Sequence, residues 1–121
     1  MKGKILIVDD LADFRRLLRD ALEEGNLVTE ADSKAALEKA FTQEQPDLVL
    51  LDVKLPDGNG LELLPVIKKH WPETEVIVLT GAPGDDEAVA WAVEATKRGA
   101  FNFIRKSSSS STIRILPFMI F

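Results

Sequence analysis

The sequence predicts an α/β fold, a doubly wound, five-stranded parallel sheet with helices on both faces. Two observations support this prediction. Short, wholly apolar runs at 5–8, 48–51 and 76–79 are typical of strands that are buried on both faces in the middle of a parallel sheet. Stretches with apolar residues at helical spacing alternate with these runs along the chain, which favours βαβ crossovers.

Composition limits the classes of function. The chain has 121 residues, of which 45% are hydrophobic, enough for one domain with an ordinary core. It has no cysteine and one histidine, His70, in a polar context, which excludes disulfides, thiolate zinc sites and the usual Ser-His-Asp catalysis. The net charge of −5 provides no basic stripe for phosphates, so we expect no direct nucleic-acid binding by this chain.

The sequence also gives no sign of a membrane protein. No apolar run is long enough to cross a bilayer, and the chain does not open with a charged and then apolar leader. We therefore expect a soluble cytoplasmic protein with no membrane partner.

The first half of the chain predicts three strands and two helices. The strand at 4–8 ends in Asp9 and Asp10, and Asp10 is placed to cap a helix that Gly25 stops. Residues 27–31 alternate in polarity and predict a strand nearer an edge, before a helix capped by Asp32 or Ser33. The third strand ends in Asp52. The inward faces of the two helices are predicted from their spacing to be Phe14, Leu17, Leu18, Ala21 and Leu22, and then Ala36, Leu37, Ala40 and Phe41.

The second half predicts two further helices and two strands. Pro65 is compatible only with a late start or a bend in the third helix, because a proline beyond the first turn removes a backbone donor. The strand at 75–80 ends in Thr80, and the last strand covers 100–104. The fourth helix is predicted to begin at the acidic residues 85–87 and to end at Lys97-Arg98-Gly99. Its buried face is predicted to comprise Val89, Ala92, Val93 and Thr96.

Polar side chains gather where these strands end. Asp9, Asp10 and Asp52 would repel one another at one sheet edge without a cation, and such hard oxygen ligands suit Mg²⁺. Thr80 and Lys106 would add a hydroxyl donor and a fixed positive charge for phosphoryl oxygens, as phosphoryl transfer requires. The pattern predicts a magnesium-dependent site in which Asp52 is a nucleophile able to form an aspartyl phosphate.

Four motifs follow one another along the chain: Ile-Leu-Ile-Val-Asp9-Asp10, Leu-Leu-Asp52-Val-Lys-Leu-Pro56-Asp-Gly58, Val-Leu-Thr80-Gly81-Ala82 and Gly99-Ala-Phe-Asn-Phe103-Ile-Arg-Lys106. In this order they resemble the receiver domain of two-component response regulators, which implies a flavodoxin-like fold. Their pattern is most similar to the nitrogen-regulation class of transcriptional activators.

This resemblance implies a role for each site residue. Asp52 is the phosphoacceptor and takes its phosphate from a sensor histidine kinase. Lys106 contacts the phosphoryl group, Thr80 closes onto it, and Phe103 is the aromatic switch. A downstream output domain or protein is the implied partner in transcription regulation, and a homodimer is a further prediction. Mg²⁺ would be held by Asp9, Asp10, Asp52 and the backbone carbonyl of Lys54.

The end of the chain departs from the family pattern. Ser107 follows Lys106 where the family usually has a proline, and 107–121 is a serine run followed by an apolar segment broken by Pro117. We therefore predict a receiver domain at 1–106 and an atypical tail at 107–121, with the fifth helix atypical or replaced. The tail is predicted to fold back as a surrogate fifth element or to exchange with a second protomer. An artefactual, aggregation-promoting tail is the alternative.

Two other classes of function compete with a phosphorylated receiver. One is a pseudo-receiver, an interaction module that is not phosphorylated, which the departure after Lys106 leaves open. The other is an Asp- and Mg²⁺-dependent phosphatase of the haloacid-dehalogenase type. That family places a general acid two residues after its nucleophile, and Asp9-Asp10-Leu11-Ala12 lacks this spacing. We expect no enzyme in the usual sense, only a domain that catalyses its own phosphorylation and dephosphorylation.

Overall fold

A computed structural model describes residues 3–81, 85–106 and 113–115, with side chains for 3–81 and 86–104. Its strands are β1 (Gly3–Val8), β2 (Asn26–Ala31), β3 (Leu48–Asp52), β4 (Lys54–Leu55), β5 (Gly58–Asn59), β6 (Glu75–Thr80), β7 (Asn102–Lys106) and β8 (Ile113–Ile115). The helices are α1 (Ala12–Leu22), α2 (Lys34–Ala40), α3 (Leu64–His70) and α4 (Asp85–Lys97), with a 3₁₀ turn at Gly60–Leu63.

Five of these strands form the predicted parallel sheet. Their spatial order is β2–β1–β3–β6–β7, and all of the pairings between them are parallel. β4 and β5 form a separate small antiparallel hairpin directly after β3. The chain therefore winds outward in both directions from β1 and β3, which confirms the doubly wound α/β fold.

The strands bury apolar side chains on both faces, which is why their sequences are continuous apolar runs. On one face Ile5, Ile7 and Leu50 pack with Phe14 and Leu18 of α1. The opposite face is covered by α2, α3 and α4, whose contributions to the core include Leu37, Ile67 and Ala92. Helices thus cover both faces, and each fully buried aliphatic side chain contributes about 2 kcal/mol of transfer free energy.

The predicted starts of α2 and α3 are confirmed, whereas the predicted start of α1 is not. Ser33 caps α2 and accepts a hydrogen bond from the Ala36 N–H at 3.1 Å. Pro65 lies in the first turn of α3, after the 3₁₀ turn, so the predicted late start is confirmed. The predicted capping of α1 by Asp10 is wrong, because the N-cap residue is Leu11 and no side chain caps it.

The predicted inner face of α4 is also wrong in part. Val89 and Val93 are 46% and 40% exposed, and Thr96 is exposed as well. The buried positions are Ala88, Ala92 and Ala95. The face of α4 that packs inward is thus formed by small side chains, which allow a helix backbone to lie closer to its neighbours than valines would.

After β7 the described chain continues as a strand and not as a helix. β8 pairs antiparallel with β7, with Ile115 opposite Ile104 and Ile113 opposite Lys106. This finding confirms that the fifth element is atypical. The serine run and the end of the chain, 107–112 and 116–121, lie outside the described residues.

Candidate functional site

The register of the sheet brings two predicted carboxylates together. Val8 pairs with Leu51, so Asp9 and Asp52 come next on adjacent strands at the carboxyl edge of the sheet. Both are buried, Asp9 completely and Asp52 to within 4% exposure, whereas Asp10 is exposed. In open α/β sheets this edge, at the point where the winding reverses, is where ligands bind.

The three carboxylates form a cluster that fits a divalent cation. One oxygen from each of Asp9, Asp10 and Asp52 lies within 4.8 Å of the others. Three negative charges this close are unfavourable unless a cation or protons neutralise them, and oxygen donors of this kind suit Mg²⁺ and Ca²⁺. The donor set therefore fits the metal that the sequence predicts. A ligand role for the Lys54 backbone carbonyl, two residues after Asp52, stays a prediction.

Three hydrogen bonds fix Asp9 in place. Its N–H donates to the Ala31 carbonyl at the end of β2 (3.0 Å), and its Oδ1 accepts from the Leu11 N–H (2.9 Å). Its carbonyl oxygen accepts from Nη1 of Arg15 on α1 (2.7 Å). Strand β2 and helix α1 thus hold the backbone that carries the side chains of Asp9 and Asp10.

Glu30 holds this arginine from the other side. Its carboxylate accepts from Nε of Arg15 at 2.8 Å and from Nε of Arg19 at 2.7 Å. Burial raises the pKa of Glu30, but the hydrogen bonds and charges of the two arginines outweigh burial, so the net pKa is lowered. Glu30 is therefore a carboxylate at neutral pH and a firm anchor for both guanidinium groups.

The segment after Asp52 is tied to the sheet and to α2. The Val53 N–H donates to the Leu79 carbonyl of β6 (3.1 Å), and Asp57 accepts from the backbone N–H groups of Lys34 (2.8 Å) and Ala35 (3.0 Å). The pKa of Asp57 is lowered mainly by the hydrogen bond from Lys34. Asp57 therefore acts as a second, long-range cap for α2 beside Ser33.

Thr80 lies beside the cluster with an unsatisfied hydroxyl. Asp52 pairs with Leu79, so Thr80 is the next residue of β6 at the same edge. Thr80 is completely buried, and within the described ranges its Oγ1 has no hydrogen-bond partner. A buried hydroxyl without a partner costs free energy, so its presence at this edge is consistent with a role in binding a ligand oxygen.

The other two predicted residues lie on β7. Phe103 pairs with Val78 and is buried in the core on the face covered by α2, α3 and α4. Lys106 ends β7, which places its backbone at the carboxyl edge near Thr80, but its side chain lies outside the described residues. The switch role of Phe103 and the phosphoryl contact of Lys106 stay predictions.

Sequence reasoning did not find Arg15, Glu30 or Asp57. Each acts through a partner between 6 and 23 positions away, which neither periodicity nor a local motif reveals. The local signal at Asp57 is an Asp-Gly pair, and it indicates a turn and nothing about α2. These contacts follow only from the tertiary fold.

A family model described as "Response regulator receiver domain" matches residues 5–116. The chain belongs to the response regulator receiver family. The match covers most of the chain, including every candidate site residue and β8. It confirms the resemblance that the four motifs indicate.

Similar proteins of known function include transcriptional regulators of the nitrogen class. The receiver is 39% identical over 106 residues to the DNA-binding transcriptional regulator NtrC of Proteus hauseri. The aligned residues cover 87% of this chain and 22% of that protein. It is 34% identical over 110 residues to the photosynthetic apparatus regulatory protein RegA of Cereibacter sphaeroides, covering 90% of this chain and 58% of that protein. The chain therefore spans between about a fifth and three fifths of the length of these relatives.

Solved receiver structures share the fold. A response regulator from Burkholderia pseudomallei with a phosphorylated aspartic acid, calcium ion and citrate superimposes with a TM-score of 0.80 at 29% identity, over 89% of this chain and 62% of that one. A CheY-like receiver domain protein from Methanospirillum hungatei gives a TM-score of 0.78 at 31% identity, over 90% and 85% of the two chains.

Within 3–81, 85–106 and 113–115, the receiver has no helix of the length and apolarity that a membrane span requires.

Proposed function

We propose that this receiver accepts a phosphoryl group on Asp52 from the phosphohistidine of a sensor histidine kinase and changes conformation to control an output. The observation that carries the proposal is the cluster of Asp9, Asp10 and Asp52, whose oxygens lie within 4.8 Å. The phosphorylated aspartic acid and calcium ion in the Burkholderia pseudomallei response regulator support the same chemistry here.

We assign Mg²⁺ as the cofactor, with Asp9, Asp10, Asp52 and the Lys54 backbone carbonyl as its ligands. When bound, the cation offsets the negative charge of the carboxylates and of the incoming phosphoryl oxygens. The buried Asp9, held by Ala31, Leu11 and Arg15, supplies a fixed ligand. The exposed Asp10 supplies the ligand on the solvent side, where the phosphodonor arrives.

In the chemical step, a carboxylate oxygen of Asp52 attacks phosphorus in line with the bond to the donor histidine. An O–P bond forms while the P–N bond breaks, and its electron pair stays on the imidazole nitrogen. The products are an aspartyl phosphate on Asp52 and a free histidine on the kinase. The low exposure of Asp52, 4%, limits the access of water to the nucleophile before the donor docks.

The conformational response starts at Thr80 and Lys106 in this proposal. The Thr80 hydroxyl donates to a phosphoryl oxygen, and the Lys106 ammonium forms a charge-assisted hydrogen bond with another. Thr80 moves toward the phosphoryl group, and the packing of Phe103 changes with it, since both lie in adjacent strands. The Thr80 hydroxyl has no hydrogen-bond partner among the described residues, and this supports its proposed contact with a phosphoryl oxygen.

We propose the partners and setting from the family. The kinase delivers the phosphate, and the output is a domain or protein outside this chain that regulates transcription, as NtrC of Proteus hauseri does by name. We place the receiver in the cytoplasm, where it reaches both partners without itself binding nucleic acid. A homodimer is a further part of this proposal.

One experiment distinguishes this function from its competitors. The wild-type chain is incubated with acetyl phosphate, with Mg²⁺ or with EDTA, and its intact mass and the consumption of acetyl phosphate are measured. A receiver gains one phosphoryl group only with Mg²⁺. A pseudo-receiver gains none and consumes nothing, and a phosphatase consumes acetyl phosphate over many turnovers without retaining the label.

A further inference from the structure

We propose that Arg15 is a positioning residue for the phosphorylation site, and that it acts by fixing the peptide between Asp9 and Asp10. This inference rests on the proposed function, since it concerns the metal-binding pair. The bond that carries it runs from Arg15 Nη1 to the Asp9 carbonyl oxygen, at 2.7 Å. This carbonyl belongs to the peptide unit that leads directly into Asp10.

The hydrogen bond acts on the peptide unit just beyond the end of β1. The Asp9 N–H continues the β1–β2 pairing by donating to Ala31, but Asp9 follows the last residue of β1. Because a peptide unit is planar, an arginine that holds its carbonyl also sets the direction of the next Cα. The exposed Asp10 side chain is thereby aimed at the cluster that Asp9 and Asp52 form from buried positions.

Glu30 makes this contact rigid. The Arg15 guanidinium uses Nη1 for the Asp9 carbonyl and Nε for Glu30 Oε1, so two of its donor positions are engaged at once. The second oxygen of Glu30 binds Arg19 Nε, and Arg19 Nη2 donates to the Val28 carbonyl (3.1 Å). The Arg15 side chain is only 17% exposed, which limits competition from water.

The positive charge of Arg15 and a positioning role predict opposite changes in Mg²⁺ affinity when Arg15 is removed. A guanidinium close to a cation site repels the cation, so the removal of a merely nearby positive charge would tighten Mg²⁺ binding. If Arg15 positions the ligands, its removal weakens Mg²⁺ binding despite this electrostatic gain. The sign of the change in affinity therefore separates the two roles.

The variants are Arg15→Lys, Arg15→Ala and the control Arg19→Ala. Arg15→Lys keeps the charge but lacks the planar fork that reaches Glu30 and the Asp9 carbonyl together. Arg19→Ala removes an equal positive charge from the same helix, and Arg19 also binds Glu30. However, Arg19 donates to the Val28 carbonyl and not to the carbonyl of Asp9. The dissociation constant for Mg²⁺ alone is measured by isothermal titration calorimetry, with no phosphodonor.

The expected loss of Mg²⁺ affinity is about 10-fold for Arg15→Lys, the low end for groups that orient metal ligands. Arg15→Ala should also bind more weakly than wild type, and Arg19→Ala should stay within about 2-fold. Tighter or unchanged binding in folded Arg15→Ala, or an equal loss in Arg19→Ala, would overturn the inference. If Arg15→Ala does not fold, Arg15→Lys decides alone.

A second measurement needs no metal and separates this inference from the proposed function. Hydrogen exchange of the Asp9 and Leu11 amides is followed in the metal-free protein. Both amides lie in the segment that Arg15 holds, and they donate to the Ala31 carbonyl and to Asp9 Oδ1, respectively. Arg15→Lys should exchange them at least several-fold faster, while Arg19→Ala leaves them unchanged. Equal rates in all three proteins overturn the positioning role, whereas a wild type that binds no Mg²⁺ counts against the proposed function.

Discussion

Gly60 contacts the Asp52 backbone carbonyl so closely that a Cβ at position 60 would overlap the carbonyl oxygen. The 3₁₀ turn that begins at Gly60 therefore packs directly beneath the candidate phosphoacceptor. The Gly60 N–H also donates to the Val53 carbonyl at 2.6 Å, which closes the hairpin between them. The shape of the backbone around Asp52 depends on the absence of a side chain at this position.

Gly60→Ala should lower the free energy of unfolding by about 2 kcal/mol, because the added methyl forces the turn away from Asp52. Urea unfolding measures this change. Gly81→Ala is the control, since a Cβ there meets no atom of the described residues within 4 Å, and its effect should stay below about 1 kcal/mol. A Gly60→Ala protein as stable as the control would contradict the close packing.

Thr80→Val should stabilise the protein by about 1 kcal/mol, because valine has nearly the same shape and removes a buried hydroxyl without a described partner. The same variant should respond less to phosphorylation, since the donor for the phosphoryl group is gone. Urea unfolding without Mg²⁺ gives the first quantity. A loss of stability would show that the hydroxyl is satisfied in solution.

The control for that prediction is Thr74→Val. Thr74 is equally buried, but its hydroxyl donates to the Pro46 carbonyl at 2.6 Å. Its replacement leaves that carbonyl without its partner, so Thr74→Val should destabilise by about 1–3 kcal/mol. The two threonines should therefore give changes of opposite sign.

Asp57→Asn should make stability less dependent on acid pH. The folded pKa of Asp57 lies below its ordinary value of 3.8, so its contribution is present above the unfolded pKa and is lost as pH falls through the folded pKa. The urea midpoint of the wild type should exceed that of the variant at neutral pH, and the difference should shrink below about pH 4. Asp20→Asn, at an exposed position on α1, is the control. A constant difference at all pH values would contradict this role.

A chain ended after Lys106 should melt at a lower temperature than the full chain. It lacks β8 and so leaves the backbone groups of the β7 edge unpaired. A chain ended after Ile115 keeps β8 and is the control. Light scattering gives the mass in solution, and loss of a dimer without unfolding would favour an exchanged arm. A truncated protein that is monomeric, soluble and equally stable would refute any covering role of the tail.

The sequence was sufficient for the fold and for the carboxylate cluster, because both follow from short-range patterns. The apolar runs that end at Val8 and Leu51 set the strands, and parallel strands bring Asp9 and Asp52 to one edge. It was insufficient for the inner face of α4. There the buried positions are the small residues Ala88, Ala92 and Ala95, and amphipathic spacing favoured the larger valines instead.

Contacts between distant segments were also beyond the sequence. Asp10 was a plausible cap for α1 by local rules, yet the helix begins after Leu11 and it is the Asp9 side chain that binds the Leu11 N–H. No local pattern predicts the contacts of Arg15 and Asp57, because each side chain binds the backbone of a distant segment. Such partners become visible only when the strands and helices are packed.

The most direct test of the central claim is the intact mass of Asp52→Asn after incubation with acetyl phosphate and Mg²⁺. The wild type should gain one phosphoryl group, and the variant should gain none, because the amide keeps the shape of the side chain but is no longer a nucleophile. Circular dichroism should show the same fold in both proteins. If the folded variant is labelled to the same extent as the wild type, another residue accepts the phosphate and the assignment of Asp52 is wrong.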